Sequence, residues 1–254
     1  MTLLIDVGNT RLKLAVLNNG VFQYLTAIAT DCASRCQQSL NETIKSLGSE
    51  VRSCVAVSVG RDEINHLVQS TLAPTIVAWI KPVAKAAGVK NGYPEPAQLG
   101  ADRWVGMVGV AHHFALPHPP VVLASFGTAT TIDTLSPDNE FTGGLILPGV
   151  TMMHESLARG TANLPNAPGS LASFPTSTVS AITSGIAAAQ VGAILRQVRL
   201  AERVYGQAPI VGVTGGARAA VASELTDVLG VIAPIELPHI VLNGLAALAH
   251  KHKD

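Results

Sequence analysis

Apolar and polar positions alternate along this chain in a plan that occurs twice. From Leu3 to Leu17 the chain reads as an apolar run, Asp6, a turn centred on Gly8 with Asn9 and Thr10, and a second apolar run. From Val121 to Leu135 the same plan returns around Gly127, about half the chain away. In the first half the pattern predicts strands at 3–7, 12–17, 21–27, 53–58 and 75–79, with helices at about 31–48 and 61–71. In the second it predicts strands at 121–125, 129–135, 140–147, 209–213 and 231–235, with helices at 150–159, 178–204, 216–229 and 239–250. Each half is therefore three consecutive strands followed by alternating helix and strand. That order predicts an α/β protein with mixed sheets and helices packed on their faces, divided into domains at 1–117 and 118–254.

Two stretches break the pattern. Gly88, Gly92, Pro94, Pro96 and Gly100 mark an irregular loop between the halves. After Ala101 the pattern turns helical through Trp104, Met107, Val108, Ala111, His112 and Phe114, until Pro117, Pro119 and Pro120 end it. The Pro/Gly/Ser-rich segment 160–177 is expected to be a mobile surface loop.

The chemistry of the repeated turn is local. Glycine lets the backbone turn tightly and approach a ligand closely. Exposed N–H groups and Thr hydroxyls can then donate to phosphate oxygens. Asp6 would repel phosphate directly but can hold it through Mg²⁺ and its waters, and Lys13 could reach back as a point charge. One such turn alone is as well read as an ordinary hairpin. Two copies at half-chain spacing suggest one nucleotide clamped between two lobes.

Composition narrows the function. Formal net charge is zero, with 48% hydrophobic and 13% charged residues. This fits a compact core and argues against a nucleic-acid surface. Cys32, Cys36 and Cys54 do not form a disulfide framework. Cys32 and Cys36 would share a helix face, and buried free thiols are expected. Val179 to Leu195 is short of a membrane span and reads as a buried helix. The N-terminus lacks a secretory leader pattern, Lys251–Asp254 reads as a solvated tail, and a cytoplasmic location is expected.

The motifs then match a family. Asp6-Val-Gly-Asn-Thr-Arg-Leu-Lys13, Asn91-Gly-Tyr93, Gly100-Ala-Asp-Arg103, Gly127-Thr-Ala-Thr-Thr-Ile-Asp133, Gly143-Gly-Leu-Ile-Leu-Pro-Gly149 and Thr178-Val-Ser-Ala-Ile-Thr-Ser-Gly185 appear in this order. Over nearly its whole length the chain resembles the type III pantothenate kinases, including the branch named Bvg accessory factor. The resemblance implies an actin-like and sugar-kinase-like fold: two duplicated ribonuclease-H-like domains, each a mixed five-stranded sheet with flanking helices, around a nucleotide cleft. It implies a homodimer that phosphorylates pantothenate with ATP and Mg²⁺, the first step toward coenzyme A.

Carried over by position, Asp6, Val7, Gly8, Asn9, Thr10, Arg11, Leu12 and Lys13 would form the first phosphate loop, and Thr128 would bind ATP in the second. Tyr93, Gly100, Ala101, Asp102 and Arg103 would hold pantothenate, with Asp102 as catalytic base and Arg103 pairing with the substrate carboxylate. Thr178 would reach pantothenate from the partner subunit. The chain departs from the family at Ser125, where an Asp commonly binds a monovalent cation. That puts the family's dependence on K⁺ or NH₄⁺ in doubt here, unless Asp133 on the adjoining strand compensates.

Several residues have a plainer reading. Asp102 could be the N-cap of its helix, and Arg103 could make an exposed salt bridge. Gly143-Gly144 and Pro148-Gly149 form a sharp turn, for ligand approach or for structure alone. Gly212 to Gly216 precedes a helix and is expected to border the nucleotide. One of His112 and His113 should be buried and the other exposed. Trp79 and Trp104 read as core or interface aromatics. An alternative is a nucleotide-binding regulator without useful kinase activity, since one scaffold hosts many functions. The intact substrate motifs argue against it.

Overall fold

The computed structural model describes residues 1–48, 51–230 and 232–251. Val231, where a strand was expected to start, and His252–Asp254 of the expected tail lie outside them. The chain forms two compact units. The first comprises Met1–Ala115, Asn139–Phe141 and the chain from His239 on; the second comprises Leu116–Asp138 and Thr142–Pro238.

In the first unit β1 (Thr2–Val7), β2 (Arg11–Asn18) and β3 (Val21–Ala29) are consecutive strands. They are followed by α1 (Ala33–Ser46), β4 (Ser53–Ser58), α2 (Asp62–Leu72) and β5 (Val77–Trp79). The sheet order is β3-β2-β1-β4-β5, with β1 antiparallel to β2 and parallel to β4. Every residue of β1 is buried, as expected of a central strand covered on both faces. Core residues such as Leu3, Ile5, Leu14, Leu40 and Val68 fill one of these faces. Over the other lies α3 (Ala101–His113) against α7 (Ile240–Lys251). Glycines let these two helices approach closely: a Cβ at Gly109 would strike the Ile240 carbonyl, and one at Gly244 the Val105 carbonyl.

The second unit repeats the plan. Strands β8 (Val121–Phe126), β9 (Ala129–Leu135) and β10 (Glu140–Pro148) precede α4 (Val150–Gly160), α5 (Thr178–Tyr205), β11 (Ile210–Thr214), α6 (Ala222–Leu229) and β12 (Ile235–Glu236). The order β10-β9-β8-β11-β12 reproduces that of the first sheet. Two strands beyond this plan, β6 (Lys85–Ala86) and β7 (Val89–Asn91), form a hairpin in the segment read as irregular. There β7 pairs with Glu140 and Phe141 of the first unit. By length and composition α5 is apolar enough to cross a membrane. Its face through Ala187, Val191, Ile194 and Val198 joins the second unit's core.

Some expectations change. His112 and His113 are both exposed, because the last turn of α3 projects past the packed core. Cys32 is the half-buried N-cap of α1, whereas Cys36 and Cys54 are buried free thiols. The helix expected from 216 begins as a 3₁₀ turn at Arg218–Val221 before α6. The segment 160–177 is pinned to α5: Gly169 N–H donates to Thr183 Oγ1 at 2.9 Å and Ala172 N–H to Ser184 Oγ at 3.0 Å.

Candidate active site

The first glycine turn closes where Gly8 N–H donates to the Arg11 carbonyl at 2.9 Å. Thr30 clamps it from outside, its N–H on Thr10 O at 3.1 Å and its hydroxyl on Asn9 O at 2.9 Å. Val7 and Leu12 are core residues, whereas Asn9, Thr10 and Arg11 are exposed. Asp6 and Lys13 are direct partners across β1 and β2, so their side chains share one face. Lys13 Nζ donates to Asp6 Oδ2 at 2.8 Å; Asp6 is only 5% exposed at its side chain and Lys13 41%. Lys13, expected as a point charge for phosphate, is here held by Asp6. Its ammonium offsets a buried carboxylate that would otherwise be costly. Beside this pair His239 stacks on Tyr24, centroids 3.7 Å apart, with a left-handed backbone (φ 55°). Burial, then the Lys13 charge, pushes the His239 pKa down, which keeps the ring neutral at neutral pH.

The second cluster of the first unit surrounds the start of α3. Gly100 is the N-cap, so Asp102 is not. Asp102 lies in the first turn, half-buried, and its Oδ1 accepts the Arg103 N–H at 2.8 Å. Burial pushes its pKa above the ordinary carboxylate value; the Arg103 N–H partly opposes this and the negative charge of Asp6 adds to it. A carboxylate facing a second carboxylate is poised to take a proton. A Cβ at Gly100 would come within 3.0 Å of Asp102 Oδ1, so glycine keeps that side chain where it is.

Arg103 is not the exposed salt bridge of the plainer reading. It is 7% exposed, donates from Nη1 to Tyr93 Oη at 3.2 Å, and lies 5.5 Å above the Phe141 ring centroid. Tyr93 stacks on the same ring at 5.7 Å. Asn91 Oδ1 accepts the Tyr93 N–H at 3.0 Å. Gly92 N–H donates to the Phe141 carbonyl at 2.9 Å, where a Cβ would stand 2.5 Å from that oxygen. The Asn-Gly-Tyr turn is thus built to bring Tyr93 against Arg103.

In the second unit Gly127 N–H donates to Ala129 O at 3.1 Å. Ser125 lies opposite Thr131, and Leu123 opposite Asp133. Asp133 thus occupies the same face as Ser125, two pairs along, and is buried. Gly149 N–H donates to Thr128 O at 3.1 Å. A Cβ at Gly149 would meet Gly127 O at 2.5 Å and also the Thr128 carbonyl. Gly149 therefore serves packing against the second loop. Gly215 (φ 97°) packs as closely on the Phe126 carbonyl, and Ala217 N–H bonds the same oxygen at 3.2 Å. This brings the Gly212–Gly216 turn beside the loop. Gly143 (φ 125°) meets nothing within 4 Å, so its role is its backbone conformation. Thr178 opens α5 at an exposed position and lines an apolar groove with Met153, Leu157 and Ile182.

Beneath the second loop Gln190 of α5 is fully buried. Its Nε2 donates to Pro148 O at 2.9 Å and contacts Met153 Sδ at 3.3 Å. Its Oε1 is buried with no hydrogen-bond partner among the described residues, as is Thr130 Oγ1. One net hydrogen bond contributes about 1 kcal/mol, whereas an orphaned buried acceptor costs about 1–3 kcal/mol. On that balance Gln190 adds little to the stability of the fold.

Phe141, Tyr24, His239 and Gln190 belong to no motif that reading the sequence singles out. Each acts through a contact distant in the chain. The one local hint is an amide amid the apolar face of a long helix.

The model of a family described as type III pantothenate kinase matches residues 2–200. A relative from Bordetella petrii named type III pantothenate kinase is 46% identical over 259 residues, covering 98% of this chain and 97% of its own. Among solved structures, a candidate Baf family transcriptional activator from Campylobacter jejuni aligns with TM-score 0.58 at 18% identity, covering 99% and 98% of the two chains. Component A of (R)-2-hydroxyglutaryl-CoA dehydratase from Acidaminococcus fermentans aligns with TM-score 0.54 at 16% identity, covering 98% and 95%. The structural likenesses carry the fold alone, the one shared with actin-like proteins. By the family match and the near-full-length identity, the chain belongs to the type III pantothenate kinase family.

Proposed function

We propose that this chain transfers the γ-phosphoryl group of ATP to the hydroxyl of pantothenate, giving 4′-phosphopantothenate and ADP. The observation that carries this reading is Asp102: a carboxyl with a raised pKa in the first turn of α3, adjoining an Arg103 that is itself fixed by Tyr93 and Phe141. Asp102 accepts the hydroxyl proton as the hydroxyl oxygen attacks phosphorus, and the bond to the ADP oxygen breaks. Arg103, with Tyr93, Gly100 and Ala101, holds the substrate; its planar fork suits a carboxylate. The loop from Asp6 to Lys13 and Thr128 of the second loop hold the nucleotide. Asn9 and Thr10 form the exposed tip of the turn that the Gly8 N–H closes, while Val7 and Leu12 contribute only their backbone.

Asp6 fits a role in Mg²⁺ binding, being a buried carboxylate that pairs with Lys13 through Oδ2 and could take a metal-bound water at Oδ1. The ion, when bound, supplies charge neutralisation on the phosphates. Ser125 offers a neutral oxygen where the family resemblance implies a carboxylate, so we assign no required K⁺ or NH₄⁺ site. The apolar groove bearing Thr178 supports a homodimer in which Thr178 serves the partner's substrate. A cytoplasmic location follows from the biosynthetic role.

The test is ADP formation with pantothenate as acceptor, the product identified by mass, with and without K⁺. Phosphopantothenate from the wild-type protein, with little from Asp102→Asn, is expected. A folded, ATP-binding protein that makes none would overturn the assignment and bring forward the regulator.

A further inference from the structure

We propose that Gln190 is a positioning residue for the second phosphate loop, acting through the β10–α4 junction. This rests on the reading of Thr128 as a nucleotide contact. The chain of contacts is short and lies wholly in the second unit. Gln190 Nε2 holds the Pro148 carbonyl at 2.9 Å. The next residue, Gly149, donates its N–H to Thr128 O at 3.1 Å and packs so closely on Gly127 and Thr128 that a Cβ would not fit. Met153, one turn into α4, closes the contact from the other side through its sulfur. A shift of Pro148 therefore moves Gly149, and Gly149 cannot move without the loop.

Chemistry favours positioning over stability. Gln190 is fully buried on a helix whose Ala187, Val191 and Ile194 join an apolar core, and its carbonyl oxygen has no partner among the described residues. An apolar residue of equal length would remove that orphan. The Pro148 carbonyl would lose its donor in exchange, so one orphaned acceptor replaces another and the fold is left about as stable as before. What an apolar side chain cannot supply is a directed donor that fixes the junction. Contacts that place binding groups without touching the ligand are worth substantial factors in binding and rate.

Calorimetric titration with MgATP, paired with thermal melting, tests this on the whole chain carrying Gln190→Met, with Thr128→Ala alongside. Gln190→Met should weaken MgATP binding about 5- to 20-fold while the melting temperature stays level or rises. Gln190→Leu replaces it if the Met protein does not fold. Binding within twofold of wild type in Gln190→Met, while Thr128→Ala binds weakly, would overturn the role of Gln190 alone. A fall of more than about 5 °C in melting temperature alongside the weaker binding would make Gln190 merely structural. Normal binding by Thr128→Ala would overturn the nucleotide role of the second loop itself, and this inference with it.

Discussion

The two glycine loops sit at the same place in the same strand order, yet they carry different chemistry. Two residues before Gly8 stands Asp6, paired across the strands with Lys13. Two residues before Gly127 stands Ser125, paired with Thr131. The first loop is thus built on a buried ion pair beside a second carboxylate, Asp102. The second is built on neutral hydroxyls and backbone, with Gly149 packed against it and Gln190 fixing that packing. On the proposed function, the first loop handles charge while the second holds phosphate through backbone and hydroxyls. Substitutions in the first unit should then damage turnover most, and those in the second should act on nucleotide binding.

The largest effect is expected at Asp102. Asp102→Asn should lower kcat roughly 10²- to 10⁴-fold, the usual worth of a general base, while MgATP binding changes less than about twofold. The pH profile sharpens this. Asp102 must be ionised to accept a proton, and its pKa is raised by burial. Turnover should therefore be lost on the acid side at a higher pH than an ordinary carboxyl, about 3.9, would give. The limb in kcat/KM for pantothenate reports this group. A limb at or below the ordinary value would remove Asp102 from the base role.

Next comes Asp6→Asn. It leaves the Lys13 ammonium without its buried partner and removes the carboxylate that would take a magnesium-bound water. Turnover should fall about 10²-fold, with a higher Mg²⁺ requirement, while Ser125→Ala changes it less than about threefold. Similar losses at both positions, measured in one magnesium titration, would erase the contrast between the loops.

Much of this contrast is legible in the sequence, for a physical reason. Gly8 and Gly127 each interrupt long apolar runs, and periodicity reports such runs well. The strand order follows from three strands followed by alternating helix and strand. What is hidden depends on distance. The Asp6–Lys13 pair appears only once the register places the two opposite each other. The N-cap reading of Asp102 stays open until Gly100 is seen to cap α3. Residues 85–91 read as loop because β6 and β7 are two and three residues long and owe their pairing to Glu140 and Phe141. Phe141 and Gln190 carry no local signal, because their partners Arg103 and Pro148 are set by the fold.

A smaller effect is expected at Gly149→Ala. The added Cβ must displace the carbonyls of Gly127 and Thr128. A clash with backbone cannot be relieved by a rotamer change, so destabilisation of about 1–3 kcal/mol is expected, with KM for ATP raised severalfold and KM for pantothenate little changed. Equal rises in both would show that the turn serves more than the nucleotide. Gly143→Ala offers the contrast: its Cβ meets nothing, and any loss there comes from its left-handed backbone.

The smallest effect, and the finest probe of the neutral loop, is Ser125→Asp. The new carboxylate would share a face with Asp133, two pairs along, and sit opposite Thr131. Without a cation the two negative charges repel; a monovalent ion between them and the hydroxyls would relieve this. At ten times its Kd, such an ion stabilises by about 1.4 kcal/mol, roughly 2–4 °C in a protein of this size. The variant should therefore melt higher in KCl than in tetramethylammonium chloride at equal ionic strength, and its turnover should become potassium-dependent. Wild type should differ by less than about 1 °C on the same scale. If the variant ignores potassium, the loop lacks the remaining oxygen ligands, and the second unit has lost more of a cation site than one side chain. If wild type already responds, Ser125 with its neighbours holds the ion unaided, and the two loops differ in charge without differing in their need for a cation.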